Sequence, residues 1–330
     1  MIKLGNLSAS LRIWLMSTLQ LGPGIRDVFY LVTSDSAYHK WLVDQRIPGD
    51  HIKTTIAAGE DALTADRNDV LCAFPGAYLT TEIDWDKSHT HLIGLGGPPQ
   101  HADLYVPNVT IYSTGVGVVQ PIDLTGHYCQ FHNISINNYG ANAACLAALN
   151  INGYGNYFKF VDIIGAMTAE QIAVVAASSL YFGPNGANTL MEDCNIGSNA
   201  WATRTVANSG VIRYTGTAGG GGPSNSTLRR CNIHSNAATN TIAMVALPAN
   251  NCIARGWLLD QCHFNNFWVN HVDLLNTAFY DACGTSHDIT LRNCSTQGIT
   301  KWDTSGRGSI FTVGANSASA GGVSAAATGI

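Results

Sequence analysis

Residues 191–196 read MEDCNI, residues 228–233 read LRRCNI, and residues 259–264 read LDQCHF. The charges change at each return while the apolar positions do not. Aligned along the chain, the phrase apolar-x-x-(Cys/Val/Ile)-x-(Ile/Phe/Thr) matches six times: Phe131–Ile136, Phe158–Ile163, Met191–Ile196, Leu228–Ile233, Leu259–Phe264 and Leu291–Thr296. Successive starts lie 27, 33, 37, 31 and 32 residues apart. That spacing suits stacked coils carrying loops of varied length, because solenoid repeats tolerate insertions.

The phrase is too short for a helix and is surrounded by Asn, Thr, Ser and Gly, so it reads as short strand. Its fourth and sixth positions obey a period of two and share one side. The first position can face the same interior only if the backbone bends between it and the fourth. Asn133, Asp193 and Asn293 stand at that bend, and Asn and Asp tolerate the left-handed conformation of a sharp corner.

Stacking the phrases gives columns. The fourth positions are Ile134, Val161, Cys194, Cys231, Cys262 and Cys294. The column reads as a small, readily buried side chain filling a narrow interior, in preference to a metal ladder or redox wire. The second positions, after His132, are Lys159, Glu192, Arg229, Asp260 and Arg292. Their sign alternates, as attraction between neighbouring strands ~4.8 Å apart requires. Charge can vary at these positions because they point outward.

With 330 residues there is ample length for a large core. Charged residues are only 12%, about half the usual share, while 34 Gly and 27 Asn make the chain rich in turn formers. A net charge of -5 and scattered Lys and Arg give no reason to expect nucleic acid. No run approaches the ~20 apolar residues of a membrane helix, so no membrane partner is expected. Nine cysteines without a CxxC pair or a CxxC…HxxxH spacing argue against structural zinc and against a full disulfide framework. They suit a reducing cytosol.

A second stretch carries a resemblance. Residues 52–97, IKTTIAAGEDALTADRNDVLCAFPGAYLTTEIDWDKSHTHLIGLGG, are similar to the start of the right-handed parallel β-helix of the pectin-lyase-like superfamily. There a cap helix precedes a D-x-V-x-x-x-P-G-x-Y strand and turn, then a coil ending near I-x-G-x-G. Here Ile52–Ala65 would be the cap helix, Asp69–Tyr78 supplies DVLCAFPGAY, and Leu92–Gly97 supplies LIGLGG. The resemblance implies an all-β fold, a right-handed parallel β-helix over 51–314. Residues 1–50 would be an arm with a strand at Val28–Thr33 and a short helix. Residues 315–330 would be a small-residue C-terminal arm lying on a neighbouring subunit.

The fold hosts lyases, hydrolases, adhesins and virus parts, so it leaves activity open. Candidate chemistry is sparse after position 100: Asp103, Asp123, Asp162, Glu170, Glu192, Asp193, Asp260, Asp273, Asp281, Asp288 and Asp303. Glu192 and Asp260 look charge-paired through Arg229, and Asp281 and Asp288 look like turn residues. His263, His271 and His287 match no metal-ligand spacing. Trp257, Phe264, Phe267 and Trp268 could stack sugars but read as core or interface. The glycine loop at 217–225 lacks the ending of a phosphate loop. No catalytic, cofactor-binding or metal-binding residue is assigned, and no cofactor.

The N-terminal plan (a strand, DSAYHKWLVDQ, TIAAGEDAL, DVLCAFPG) resembles β-helix proteins encoded among bacteriophage structural genes. This implies a non-enzymatic virion structural protein, a capsid-surface decoration or cement protein. Its expected partners are the major capsid protein and copies of itself in a homotrimer, assembled in the host cytoplasm. Ile13–Leu21 is expected to anchor it, being too broken for a secretory signal. The alternatives are a tail spike or fibre component that binds or cleaves surface polysaccharide, and a secreted polysaccharide lyase or glycosidase.

Overall fold

The computed structural model describes residues 25–96, 109–197, 203–216, 222–237, 239–248, 252–266, 275–283, 288–303, 310–313, 317–320 and 323–326. The arm containing Ile13–Leu21 lies outside them.

Each coil contributes up to three short strands, and among the described residues these build a nineteen-stranded and an eight-stranded sheet. Pairing between coils is parallel throughout the solenoid, as in the strands Phe158–Lys159, Met191–Glu192, Leu228–Arg229, Leu259–Asp260 and Leu291–Arg292. The larger sheet turns a corner within each coil and so supplies two faces; the smaller sheet supplies the third. The chain is a right-handed parallel β-helix, the hand that strand–crossover–strand connections favour.

The columns read from the sequence are the columns of the structure. Phe131, Phe158, Met191, Leu228, Leu259 and Leu291 pair in register and are all buried. Ile134, Val161, Cys194, Cys231, Cys262 and Cys294 form the next interior column, also buried. The four thiols reach backbone carbonyls: Cys194 that of Glu192, Cys231 that of Met191, Cys262 that of Leu228 and Cys294 that of Leu259, at 3.1–3.5 Å. Burial pushes the Cys194 and Cys262 thiols well above their ordinary range, so they act as neutral donors there.

Between first and fourth positions the chain takes the left-handed corner. Asn133, Asp193 and Asn293 have φ of 54°, 54° and 53°. Phe160, Arg230 and Gln261 do the same, at 53°, 51° and 56°. The stacking of coils imposes the bend on residue types that do not favour it alone.

Outside this corner the charges alternate as read. Arg229 bridges Glu192 (Nη1–Oε1 3.2 Å) and Asp260 (Nε–Oδ2 3.2 Å), and Arg292 holds Asp260 from the other side (Nε–Oδ1 2.8 Å). Lys159, at the head of the run, lies over the Phe160 ring instead.

At one end, Val28–Leu31 pairs with both Ile52–Lys53 and Asp69–Ala73. The cap helix is shorter than the expected Ile52–Ala65: it spans Ile56–Ala62, started by Thr55, whose Oγ1 accepts from Ala58 N–H. Ile52 and Lys53 are strand because the edge of Val28–Leu31 recruits them. Gly59 lets the helix press onto the first coil; a Cβ there would stand 2.6 Å from a Leu71 methyl. The expected arm helix appears as Ala37–Asp44. At the other end the backbone of Ser317–Ala320 pairs with Ser295 and forms an antiparallel hairpin with Val323–Ala326. This segment extends its own chain's sheet.

Seven cysteines are free and buried. Cys252 and Cys283, with Cα atoms 6.3 Å apart, are joined in a disulfide, so the expectation of reduced thiols holds for the interior column but not for this pair.

Candidate functional site

Most residues singled out in the sequence have structural work. Glu192 and Asp260 are tied through Arg229, and Asp193 is tied to Arg230 (Oδ1–Nε 2.7 Å). Asp281 accepts from Cys283 N–H within its own turn, and Asp288 accepts from Gly256 N–H of the neighbouring coil. Trp257 packs against Phe182 and Tyr214 in the interior, and Phe264 against Trp302. His263 Nδ1 meets Ser295 Oγ at 2.8 Å. Asp103, Asp273, His271, His287, Phe267 and Trp268 lie outside the described residues.

Asp162 is different. It lies on the outward side of the second face, in register with Ser135 and Asn195, yet only 6% of it is exposed. Its Oδ1 accepts from Asn195 Nδ2 at 2.8 Å. Burial pushes its carboxyl up to about 7, against the lowering effect of that hydrogen bond. So enclosed a group offers little to a macromolecular substrate.

An accessible cluster of carboxylates lies on the third face. Its strands are only three residues long in the first coils: Ile83–Trp85, Ile122–Leu124 and Leu149–Ile151. Each places two apolar side chains inward and the central one outward. Ile83, Trp85, Ile122, Leu124, Leu149 and Ile151 are buried. The central residues, Asp84, Asp123 and Asn150, are therefore stacked in register on the outside. Glu82, immediately before the first strand, joins them. One oxygen from each of Glu82, Asp84 and Asp123 falls within 4.8 Å of the others. Glu82 and Asp84 are exposed and Asp123 is half-buried.

Neutral donors hold this group. Gln120 Nε2 donates to Glu82 Oε1 at 2.6 Å, and Asn150 Nδ2 donates to Asp123 Oδ1 at 2.9 Å. Asp123 is raised above the usual carboxylate range first by burial and then by the charge of Asp84. Glu82 is raised too, by lost hydration in the crowded cluster and by the charges of Asp123 and Asp84. Three carboxyls so close cannot all ionise easily, so the cluster retains a proton to higher pH than a lone carboxyl would. Chemically it offers a proton donor beside a carboxylate, the pair that hydrolytic cleavage of a sugar linkage uses. The same spacing is within the range of a divalent cation held by carboxylate oxygens. Beyond Asn150 the outward column continues through Tyr181, Arg213, Ala246 and Tyr280.

Sequence reasoning noted Asp123 but missed Glu82 and Asp84, which lie in the stretch read only for its fold. The signal was present as a short echo, Ile83-Asp84-Trp85 and Ile122-Asp123-Leu124, apolar residues enclosing an outward aspartate.

No protein-family model matches the chain, and no curated protein matches it in sequence. Solved structures do match in shape. Pectin methylesterase PemA from Erwinia chrysanthemi superposes with a TM-score of 0.53 at 13% identity, over 92% of each chain. Pectin methylesterase from Yersinia enterocolitica gives 0.52 at 12% identity, over 83% of this chain and 93% of that one. A pectin methylesterase in complex with a hexasaccharide gives 0.52 at 13% identity, over 91% of each.

The likeness supports the parallel β-helix of the pectin-lyase-like type. It also overturns the expectation of a non-enzymatic bacteriophage virion protein. These neighbours are carbohydrate-modifying enzymes matched over most of their length, and nothing in the likeness points to a phage. The virion reading leaned on the N-terminal plan of strand, helix and cap. That plan covers an exposed solenoid end and is not specific to a virion.

Proposed function

We propose that the protein is a polysaccharide-acting hydrolase whose centre is Glu82, Asp84 and Asp123 on the third face. The observation that carries this is the convergence of three carboxyls within 4.8 Å on an open face, from strands nearly forty residues apart in sequence. The shared fold of enzymes named for pectin supports the substrate class.

Asp123, half-buried and raised, holds the proton and gives it to the leaving oxygen of the linkage. Asp84 lies beside it as the carboxylate. Inverting glycosidases keep their carboxyls roughly 6.5–9.5 Å apart to admit a water between, whereas retaining ones hold them at about 5–5.5 Å. The shorter spacing here favours attack by Asp84 on the anomeric carbon of a glycosidic linkage, forming a glycosyl ester as the linkage breaks, or on the acyl carbon of an ester linkage, forming an acid anhydride as the alcohol leaves. Water then cleaves that intermediate, with Asp123, now ionised, taking its proton and returning to the acid form. Burial and the charge of Asp84 keep the proton on Asp123, and Gln120 and Asn150 fix Glu82 and Asp123.

The test is product analysis with methyl-esterified pectin, polygalacturonate and neutral soluble polysaccharides. New reducing ends report glycosidic cleavage and released methanol reports ester cleavage. Either product, lost in Asp84→Asn and Asp123→Asn, supports the proposal. Full activity in both variants would overturn it, as would the absence of any product across the panel.

A further inference from the structure

A second corner lies between the third and first faces, and it too is left-handed. Four coils place there the residues that suit this backbone: Gly155, Asn188, Asn225 and Gly256. Two coils place rings there instead, His89 at φ 54° and Tyr128 at φ 55°. Bulky residues rarely adopt that conformation, and where they do the surroundings hold them for a reason.

The surroundings here make a ledge of rings. His89 stacks on Tyr128, with centroids 5.0 Å apart and planes 26° apart. Tyr154 meets Tyr128 edge-on at 5.1 Å, and His127 stacks on Tyr154 at 4.0 Å. Gly155 leaves the space that Tyr128 fills; a Cβ there would stand 2.5 Å from the Tyr128 ring. Asp66 Oδ1 fixes His89 through Nδ1 at 2.8 Å, and Tyr154 N–H fixes His127 through Nδ1 at 3.2 Å. Although so braced, Tyr128 is 47% and Tyr154 37% exposed.

We propose that this corner is a carbohydrate-binding platform, in which Tyr128 and Tyr154 receive the C–H faces of pyranose rings. Two observations favour sugar over protein as the occupant. The exposed ring area is far below the roughly 1,000 Å² that a stable protein interface buries, and exposed Asp66 and half-buried Ser88 make its border polar, as hydroxyl-rich ligands require. Position supplies a third. His89 follows Asp84 by five residues and Tyr128 follows Asp123 by five, so ledge and carboxylates share the same coils, at most ~17 Å apart along an extended chain. A bound polysaccharide would run along these coils from ledge to carboxylates. The inference rests on the reading of the protein as polysaccharide-acting, but it concerns binding and is separable from cleavage.

The experiment measures retention of the full chain in native gels cast with polygalacturonate or with neutral β-glucan. It compares wild type, Tyr128→Asn, Tyr154→Ala and Asp123→Asn. Asn is the residue that stacked coils already use at this corner, so Tyr128→Asn removes the ring and keeps the backbone; Tyr154→Ala tests the ledge independently. The expected result is retention of wild type on at least one polysaccharide, weakened at least tenfold by either tyrosine substitution and less than threefold by Asp123→Asn. Unchanged retention in both tyrosine variants overturns the platform, and so does a wild type that neither gel retains. Tyrosine-dependent retention by a protein that releases no product upholds the platform and sinks the hydrolase reading.

Discussion

Asp84 and Asp123 face outward side by side, paired across parallel strands at the Asp84–Asp123 register. Like charges opposite one another in a sheet destabilise it, by roughly 0.2–1 kcal/mol for such a pair. A fold that aligns its other exterior charges in alternating sign tolerates the reverse here, and sites of chemistry are where such conflicts collect.

That conflict predicts a trade of stability against function. Asp84→Asn should raise the unfolding free energy by about 0.5–1 kcal/mol while abolishing hydrolysis. Denaturant unfolding and product release, measured on the same preparation, check both halves. A destabilised Asp84→Asn would show that the aspartate is structural.

The alternating ladder on the first face makes the opposite prediction. Arg229→Ala removes two partly exposed ion pairs and should cost about 1 kcal/mol, since Asp260 keeps Arg292. R229E would put three acids in succession and should cost about 2 kcal/mol. Equal stability of the two variants, read by urea midpoints, would show that the ladder contributes packing and no electrostatics.

Asp162 gives a pH signature. Its folded carboxyl is raised to about 7 from an ordinary 3.8. The associated stability is fully present below pH 3.8 and is lost as pH rises toward and through about 7. The ceiling is about 4 kcal/mol at 1.36 kcal/mol per pKa unit. His91 and His132 act oppositely. Burial lowers them to about 3 and about 4, so their contribution is lost as pH falls below 6.5. The difference between wild type and Asp162→Asn isolates the carboxyl. The variant should gain on the order of 2–4 kcal/mol at pH 8 and almost nothing at pH 4. A difference that does not change with pH would place Asp162 in water.

The thiol column predicts silence. Native protein should leave Cys194, Cys231, Cys262 and Cys294 unlabelled by a thiol reagent. Unfolding should reveal seven thiols, and reduction nine, as the free and paired cysteines require. Rapid native labelling of any of the four would contradict the packing.

The sequence carried the first and second faces well, because the six-residue phrase spans a corner and repeats both its inward positions and its outward charges. Asn133, Asp193 and Asn293 announced the corner. Phe160, Arg230 and Gln261 did not, because there the neighbouring coils override local preference. The third face was faint for a physical reason. Strands such as Ile83–Trp85 have a single outward residue, too few for a period of two to stand out, so the echo of Ile83-Asp84-Trp85 in Ile122-Asp123-Leu124 is short and Glu82 has no counterpart in it. The disulfide was equally hidden: Cys252 and Cys283 lie 31 residues apart, the spacing of one coil, but outside the six-residue phrase that marks the repeat.

The central claim is that a polysaccharide is cut at the carboxylates of the third face. It is tested most directly by a crystal structure of the Asp123→Asn variant with an oligosaccharide that the wild type cleaves. The account predicts a sugar linkage within about 3 Å of Asp84 and of the substituted side chain, with a neighbouring ring against Tyr128. An oligosaccharide seated over Asp162, or anywhere that leaves Asp84 without contact, would contradict it.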